Sequence, residues 1–360
     1  MPAPRQRLSP YMHFAKLHAD ARFNLAASGV PGCELSDLAP ELAGLRLHGP
    51  NAYGYPLVRE AIAERFGVKV GEVVTAEGAS MANHLALAAL VEPGDEVVLE
   101  EPTYELIAST LLYLGAELKR AARRPEAGWR LEPEAFAEAI GPRTRLVVLT
   151  NLHNPTSARD DLAAVRRVAE AAERVGAIVL VDEVYLELTF GDGPARTCFT
   201  DAPNVAVTSS LTKAYGLSGL RCGWILARPH LAERVWRLVD LYYSVAPFLT
   251  DQLSALALQR LPGLRRRAEA LLEPNRQAYR EILGDSPALD QVISDVGTTV
   301  FPRLRAGEVD ALCRRLRERF ETSVVPGSFF ERPDHIRVGL AGDPAVMREG
   351  YARLAQALSG

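Results

Sequence analysis

Residues 177–185 read AIVLVDEVY, an uninterrupted apolar run that ends in two carboxylates. The run LVVL at 146–149 has the same character. Continuous apolar runs of this length are typical of strands that are buried on both faces of a parallel sheet. The two stretches therefore predict the centre of an α/β sheet.

Strand-like and helix-like segments alternate on both sides of this centre, from Tyr55 to Ala227. The predicted strands are 73–75, 96–99, 146–149, 177–181, 205–208 and 222–227. The predicted helices are 56–66, 81–90, 104–114, 134–140 and 162–175. Alternation of this extent predicts a doubly wound sheet with helices on both faces.

Beyond Pro229 the pattern changes to long amphipathic helices, followed by short strands mixed with helices. The segments predicted here are the helices 231–243, 251–271, 308–320 and 344–358 and the strands 298–301 and 336–339. We interpret this part as a smaller α+β domain. The predicted boundaries give a large domain at 46–245 and a small domain at 1–45 together with 246–360.

Composition and charge exclude several classes of function. The 360 residues carry a formal charge of −4, so no basic field favours nucleic acid or an anionic membrane. The first residues lack the apolar run of a signal peptide, and no stretch approaches the ~20 apolar residues of a membrane span. The cysteines and histidines show no spacing typical of a metal site. We expect a soluble cytoplasmic protein with reduced thiols.

The run SSLTKAYGLSGLRCG at 209–223 places Lys213 among hydroxyls after a predicted strand, with Arg221 shortly before the next one. Hydroxyls and a guanidinium suit a doubly charged phosphate, and a strand end can hold a nucleophilic amine in place. The run resembles the lysine signature of class I/II aminotransferases, in the fold-type I family of pyridoxal-phosphate enzymes. The resemblance implies that Lys213 carries pyridoxal 5′-phosphate as a Schiff base. It also implies phosphate contacts for Ser210 and Arg221, with Thr212 as a further candidate.

Two turns nearer the N-terminus agree with this resemblance. The residues from Glu77 to Ser80 follow a strand and open a helix, where glycine and free amides favour a phosphate. In the family the corresponding turn holds the cofactor phosphate, which implies roles for the backbone of Ala79 and for Ser80. Tyr104, after the strand at 96–99, resembles the ring that stacks on the pyridine.

Two further motifs end the central strands. Asn154, in Asn-Pro-Thr-Ser, resembles the asparagine that donates to the phenolic oxygen of the cofactor, although Ser157 replaces the usual glycine. Asp182 lies at the carboxyl end of a strand, where open α/β sheets bind ligands, and it can keep a pyridine nitrogen protonated. The resemblance places Tyr185 beside Asn154 at the phenolic oxygen. Glu183 is expected to be structural.

Three residues outside the central motifs complete the predicted site. Arg337, after PGSFF at 326–330, resembles the arginine that grips the α-carboxylate of the substrate, a task that suits its planar fork. Gly29 resembles an N-terminal glycine whose backbone lines the substrate pocket. Asn154 is expected to contact the substrate as well. Tyr53 resembles a tyrosine that reaches the cofactor phosphate of the neighbouring subunit in a homodimer.

The resemblance implies a three-layer α/β/α large domain with a mostly parallel seven-stranded sheet, plus the smaller α+β domain. The implied activity is transfer of an amino group from an α-amino acid to a 2-oxo acid. A carbon–sulfur β-lyase of the same fold stays open, and a decarboxylase fits less well because Arg337 would retain the carboxylate. A non-catalytic regulatory module would need an attached DNA-binding domain, for which the first ~45 residues show no helix-turn-helix pattern.

Overall fold

The computed structural model describes residues 6–18, 20–38, 41–189 and 195–359. The strands are β1 Phe23–Asn24, β2 Val73–Glu77, β3 Glu96–Glu101, β4 Glu117–Ala122, β5 Thr144–Thr150, β6 Ile178–Asp182, β7 Val205–Ser210, β8 Cys222–Leu226, β9 Leu289–Asp290, β10 Thr299–Val300, β11 Arg303–Leu304, β12 Thr322–Ser323, β13 Val325–Pro326 and β14 Ile336–Gly339. The α-helices are α1 Pro10–Leu17, α2 Leu35–Leu38, α3 Pro56–Phe66, α4 Gly78–Leu90, α5 Glu105–Leu114, α6 Pro133–Ala139, α7 Leu162–Glu173, α8 Thr212–Tyr215, α9 Pro229–Tyr242, α10 Phe248–Gln259, α11 Leu261–Leu283, α12 Val309–Phe320 and α13 Pro344–Ser359.

Seven strands form the central sheet in the order β2-β8-β7-β6-β5-β3-β4. Strand β8 runs antiparallel to both of its neighbours, and the other adjacent pairs are parallel. The carboxyl ends of β5, β6 and β7 consequently meet at one edge of the sheet. The predicted mostly parallel sheet is confirmed.

Alternate residues of the buried strands pack against opposite helical layers, as the two-residue period of a strand requires. In β6, Val179 and Val181 belong to one apolar cluster and Leu180 to the other. Helix α7 packs in the first cluster, and helices α4, α5 and α9 pack in the second. The sheet is therefore covered on both faces, which confirms the three-layer arrangement.

Short strands connect the two ends of the chain. Strand β1 pairs in parallel with β12, so that Phe23 lies opposite Thr322 and Asn24 opposite Ser323. Strand β14 lies between β10 and β13. The N-terminal segment is thereby held against the C-terminal third. Among the described residues, no helix has both the length and the apolar character that crossing a membrane requires.

Several elements differ from the sequence-based expectation, and three of the differences have a clear physical reason. The helix predicted at 251–271 is two helices, because Pro262 starts a new first turn, where its missing N–H is tolerated. Strand β4 was not predicted, since its residues ELKRAA are polar and half of them are exposed on the sheet edge. Helix α1 was not predicted either, and Ser9 caps it by accepting a hydrogen bond from the amide of Met12.

Candidate active site

A cavity of about 450 Å³ opens at the carboxyl ends of β5, β6 and β7. The last residues of these strands, Thr150, Asp182 and Ser210, line it. Open α/β sheets bind ligands at this edge. The predicted site residues that line the cavity are Gly29, Ala79, Ser80, Tyr104, Asn154, Asp182, Tyr185, Ser210, Lys213 and Arg221.

One end of the cavity is built to hold an anion. Helix α4 begins at Gly78, whose φ is +78°, and a Cβ there would lie 2.3 Å from Nη2 of Arg221. Glycine therefore allows the guanidinium to lie against the start of the helix. Thr212 Oγ1 is buried without a hydrogen-bond partner among the described residues, which is rare for a hydroxyl. With the hydroxyls of Ser80 and Ser210, these groups fit a doubly charged phosphate.

Asp182 lies buried at the middle of the cavity wall. Asn83 Nδ2 donates to Oδ2 of Asp182 over 2.7 Å, and the amide of Val184 donates to Oδ1 over 3.0 Å. Thr208 donates in turn to Oδ1 of Asn83, which fixes the orientation of that amide. Burial raises the pKa of Asp182 to about 6, although these hydrogen bonds and the charge of Lys213 favour the carboxylate. Burial and the hydrogen-bond donors around this carboxyl therefore act on its pKa in opposite directions.

Lys213 lies in the one-turn helix α8. Its Nζ donates to Oγ of Ser28 over 3.2 Å, and the hydroxyl of Tyr185 donates to the same oxygen over 2.9 Å. The predicted Gly29 packs against this lysine, since a Cβ at Gly29 would lie 3.1 Å from Cδ of Lys213. The sequence motifs indicated the lysine, the tyrosine and the glycine, but not Ser28.

Arg337 is fully buried and is not among the described residues that line the cavity, but it contacts Asn154, which does line it. Its Nη1 donates to Oδ1 of Asn154 over 3.1 Å, and its Nη2 donates to the hydroxyl of Tyr11 over 2.8 Å and to the carbonyl of Ala26 over 3.0 Å. Its Nε is buried with no partner among the described residues. The ring of Tyr11, 5.3 Å from the guanidinium carbon, covers the cation. Arg337 thus has one N–H donor, at Nε, without a partner among the described residues, and another, at Nη2, whose partner is the hydroxyl of Tyr11.

Helix α1 forms a wall of the cavity that the sequence did not predict. Tyr11, Met12, Ala15 and His18 line it from one face of the helix. The hydroxyl of Tyr104 donates to Sδ of Met12 over 3.4 Å, and its ring meets that of Tyr11 edge-on at 5.8 Å. The wall opposite the central strands is consequently apolar and aromatic.

Tyr53 lies outside this cavity. Its side chain is exposed, meets the ring of Trp236 edge-on at 5.6 Å, and lies under the guanidinium of Arg237 at 5.1 Å. The large apolar side chains of Leu241 and Tyr242, in the same helix α9 as Trp236 and Arg237, are also exposed. Tyr53 is therefore available to another molecule and not to the cavity of its own chain.

A buried ion cluster supports the loop that carries Asn154. Arg123 is fully buried and donates to Glu100 over 2.8 Å and to both oxygens of Asp160 over 2.8 and 2.7 Å. Thr150 donates to Glu100 over 2.6 Å and accepts a hydrogen bond from the amide of Asn154 over 3.2 Å. The cluster thus connects β3, β5 and the asparagine loop through charged hydrogen bonds.

Glu183, the second carboxylate after β6, is buried but does not line the cavity described here. Its Oε1 accepts a hydrogen bond from the amide of Cys198 over 2.9 Å. Burial raises the pKa of Glu183 to about 7, although hydrogen bonds from Cys198 and Thr197 favour the charged form. The residue has the contacts of a structural group.

Glu183→Gln is expected to remove part of the pH dependence of folding. Native Glu183 binds its proton below about pH 7, whereas an ordinary glutamate does so only below pH 4.5. Between these values the native state holds more protons, so the free energy of unfolding falls as pH rises, by up to ~3 kcal/mol from this group. Urea unfolding at pH 5 and pH 7 measures this fall, which should be smaller in the variant. An equal fall in both proteins would contradict the assignment.

Comparison with known proteins agrees with this geometry. The sequence matches the family described as "Aminotransferase class I and II" over residues 41–354. Capreomycidine synthase of Streptomyces vinaceus is 32% identical, with 94% of this chain and 90% of that protein covered. Arginine–pyruvate transaminase AruH of Pseudomonas aeruginosa is 31% identical, with 87% and 83% covered.

Solved structures share the architecture. A pyridoxal-phosphate-dependent aminotransferase from Streptococcus suis superimposes with a TM-score of 0.91 at 26% identity, with 99% of this chain and 98% of that chain covered. Aspartate aminotransferase from Thermus thermophilus with maleate superimposes with a TM-score of 0.88 at 21% identity, with 98% and 97% covered. The second likeness bears on the fold alone.

Proposed function

The chain belongs to the class I and II aminotransferase family, has the fold-type I architecture and depends on pyridoxal phosphate; from this premise we propose that it transfers an amino group from an α-amino acid to a 2-oxo acid. The observation that carries the proposal is the meeting of Lys213, Asp182 and Asn154 in one cavity that ends in an anion cradle. The unpartnered Oγ1 of Thr212 supports the fit of a phosphate there.

We assign the cofactor contacts from these positions. The groups proposed for the phosphate are the amide of Ala79 and the side chains of Ser80, Ser210, Thr212 and Arg221. Tyr104 is proposed to stack on the ring, Asp182 to pair with its nitrogen, and Asn154 and Tyr185 to bind its phenolic oxygen. When bound, pyridoxal phosphate withdraws electrons from the substrate Cα and carries the amino group between the two half-reactions.

Lys213 and Arg337 are proposed to act on the substrate. Nζ of Lys213 would hold the cofactor in the resting enzyme and, when free, would take the proton from the substrate Cα. The substrate carboxylate displaces the hydroxyl of Tyr11 from Arg337 and uses the unpartnered Nε. Gly29 is proposed to line the space between these two groups.

We propose a homodimer in which Tyr53 reaches the cofactor phosphate of the neighbouring subunit. The exposure of Tyr53, and of Leu241 and Tyr242 in the adjoining helix, supports this, because large exposed apolar side chains are typical of association surfaces. The proposed domains, 46–245 and 1–45 together with 246–360, are supported by the confinement of the seven-stranded sheet to 73–226. The four free cysteines support a cytoplasmic location.

One relative favours a second candidate function. Capreomycidine synthase is named for a synthesis and not for amino transfer, although it is 32% identical to this chain. Its name indicates only that relatives of this chain carry out chemistry other than amino transfer. The carbon–sulfur β-lyase that the sequence leaves open is one such function, and it begins with the same removal of the Cα proton by Lys213. The two functions differ in whether the amino group stays on the cofactor.

Incubating the holoenzyme with single amino acids, without an acceptor, distinguishes the two functions. We expect at least one of L-alanine, L-aspartate, L-phenylalanine, L-arginine and L-histidine to convert the bound cofactor to pyridoxamine phosphate with release of one 2-oxo acid. Absorbance spectra follow the cofactor, and chromatography identifies the acid. Pyruvate and ammonia from S-substituted cysteines, without pyridoxamine phosphate, would replace amino transfer by the lyase.

A further inference from the structure

The hydroxyl of Ser28 lies between the amine of Lys213 and the hydroxyl of Tyr185. Lys213 Nζ is 3.2 Å from its Oγ, and the hydroxyl of Tyr185 is 2.9 Å from it. Ser28 is buried, and its side chain lines the cavity. None of the cofactor contacts proposed above uses this serine.

The backbone around Ser28 is held firmly in place. Thr298 Oγ1 donates to the carbonyl of Ser28 over 2.8 Å, and the amide of Val30 donates to the carbonyl of Lys213 over 2.9 Å. Gly29, between them, leaves no spare room beside the lysine, since an added Cβ would lie 3.1 Å from its Cδ. The segment from Ser28 to Val30 is therefore held on one side by Thr298 and on the other by the backbone and side chain of Lys213.

Ser28 Oγ accepts a hydrogen bond from each of its two neighbours. A serine hydroxyl has two acceptor lone pairs and one proton, so these contacts fill its acceptor capacity and leave the proton free. Within the described residues, this oxygen is the hydrogen-bond acceptor of Lys213 Nζ. An amine released into the cavity thus has a defined position.

We propose that Ser28 is a catalytic residue of the proposed amino transfer. Once the substrate amine has replaced Lys213 on the cofactor, the Ser28 hydroxyl accepts a hydrogen bond from the released Nζ and holds this amine toward the substrate Cα. In that step the Cα–H bond breaks, a new N–H bond forms at Nζ, and the electron pair stays with the substrate and the bound cofactor. Ser28 accepts one N–H of the resulting ammonium and undergoes no net change. This inference rests on the proposed function.

Ser28→Ala and Thr298→Val test the proposal as a matched pair. The first removes the hydroxyl at the amine, and the second removes only the hydrogen bond that secures the Ser28 carbonyl. The absorbance of each holoenzyme is titrated with pH in the absence of any amino acid. Single-turnover rates are then measured with Cα-protiated and Cα-deuterated forms of whichever amino acid of the panel reacts fastest.

For Ser28→Ala we expect the midpoint of the pH titration to fall, because the hydroxyl that accepts a hydrogen bond from Nζ favours the protonated form of that nitrogen. The rate of Cα proton removal should fall about 10- to 100-fold. The deuterium isotope effect should rise, and the apparent affinity for the amino acid should change less than about twofold. Thr298→Val keeps the Ser28 hydroxyl but loosens its backbone, so it should show smaller changes in the same direction. An unchanged midpoint and isotope effect in Ser28→Ala, or changes of equal size in Thr298→Val, would overturn the proposal. A wild type inert to the whole panel would reject the proposed function, whereas the titration would still report on Ser28.

Discussion

Lys213→Ala is expected to lose amino transfer almost completely, with a fall in rate of at least about 10³-fold. Two roles are removed at once, because Lys213 is proposed both to hold the cofactor and to carry the Cα proton. Within the part of the chain that the structure describes, no other lysine lines the cavity. Its neighbours Ser28 and Tyr185 carry hydroxyls and no amine, so neither can form the Schiff base with the cofactor in its place.

Single-turnover conversion of the bound cofactor measures this loss. Lys119→Ala is a suitable control, because Lys119 lies on the edge strand β4 with its side chain about half exposed and paired with Glu96. The control should keep wild-type rates. If Lys213→Ala retained a tenth of the wild-type rate, both proposed roles would have to be assigned elsewhere.

The strands and the motif residues could be predicted because local sequence determines them. Strand β5 contains the apolar run LVVL at 146–149 and β6 the run IVLV at 178–181, and the polar residue that follows is Thr150 in the first and Asp182 in the second. Parallel pairing then brings these strand ends together without further information. Six strands of the sheet and the positions of Lys213 and Asn154 at its edge could be predicted in this way, whereas the count of seven came from the family resemblance and the edge strand β4 was missed.

The remaining contacts depend on tertiary structure. Ser28 and Tyr11 come from the N-terminal segment, which has little periodicity and is held at the cavity by contacts with distant parts of the chain, among them the pairing of β1 with β12. Asn83 could have been noticed as a polar residue in the mostly apolar run of helix α4. Its partners Asp182 and Thr208, however, lie on strands β6 and β7, far away in the sequence. Such pairings are set by the packing of helices on the sheet, so no local pattern contains them.

Arg123 is the clearest case of a residue that local sequence conceals, since it lies beside a second arginine at the end of a polar edge strand. Arg123→Met is expected to lower the free energy of unfolding by about 3–5 kcal/mol. The substitution leaves Glu100 and Asp160 buried without their cation. Burial already raises the pKa of Glu100 to about 7 against the opposing charge of Arg123, so this carboxyl will take up a proton when the cation is lost.

Arg124→Met is a closely matched control, because the neighbouring arginine pairs with Glu132 at the surface and its side chain is 62% exposed. Exposed ion pairs contribute about 0–1 kcal/mol, so this variant should unfold close to the wild type in urea. Adding Asp160→Asn to Arg123→Met should lower the free energy of unfolding by less than the sum of the two single changes, because the uncompensated carboxylate is then absent.

Equal losses of stability in Arg123→Met and Arg124→Met would show that the buried cluster is not what stabilises the asparagine loop. A loss confined to Arg123→Met, with slower conversion of the cofactor by the folded variant, would connect this cluster through Thr150 to Asn154.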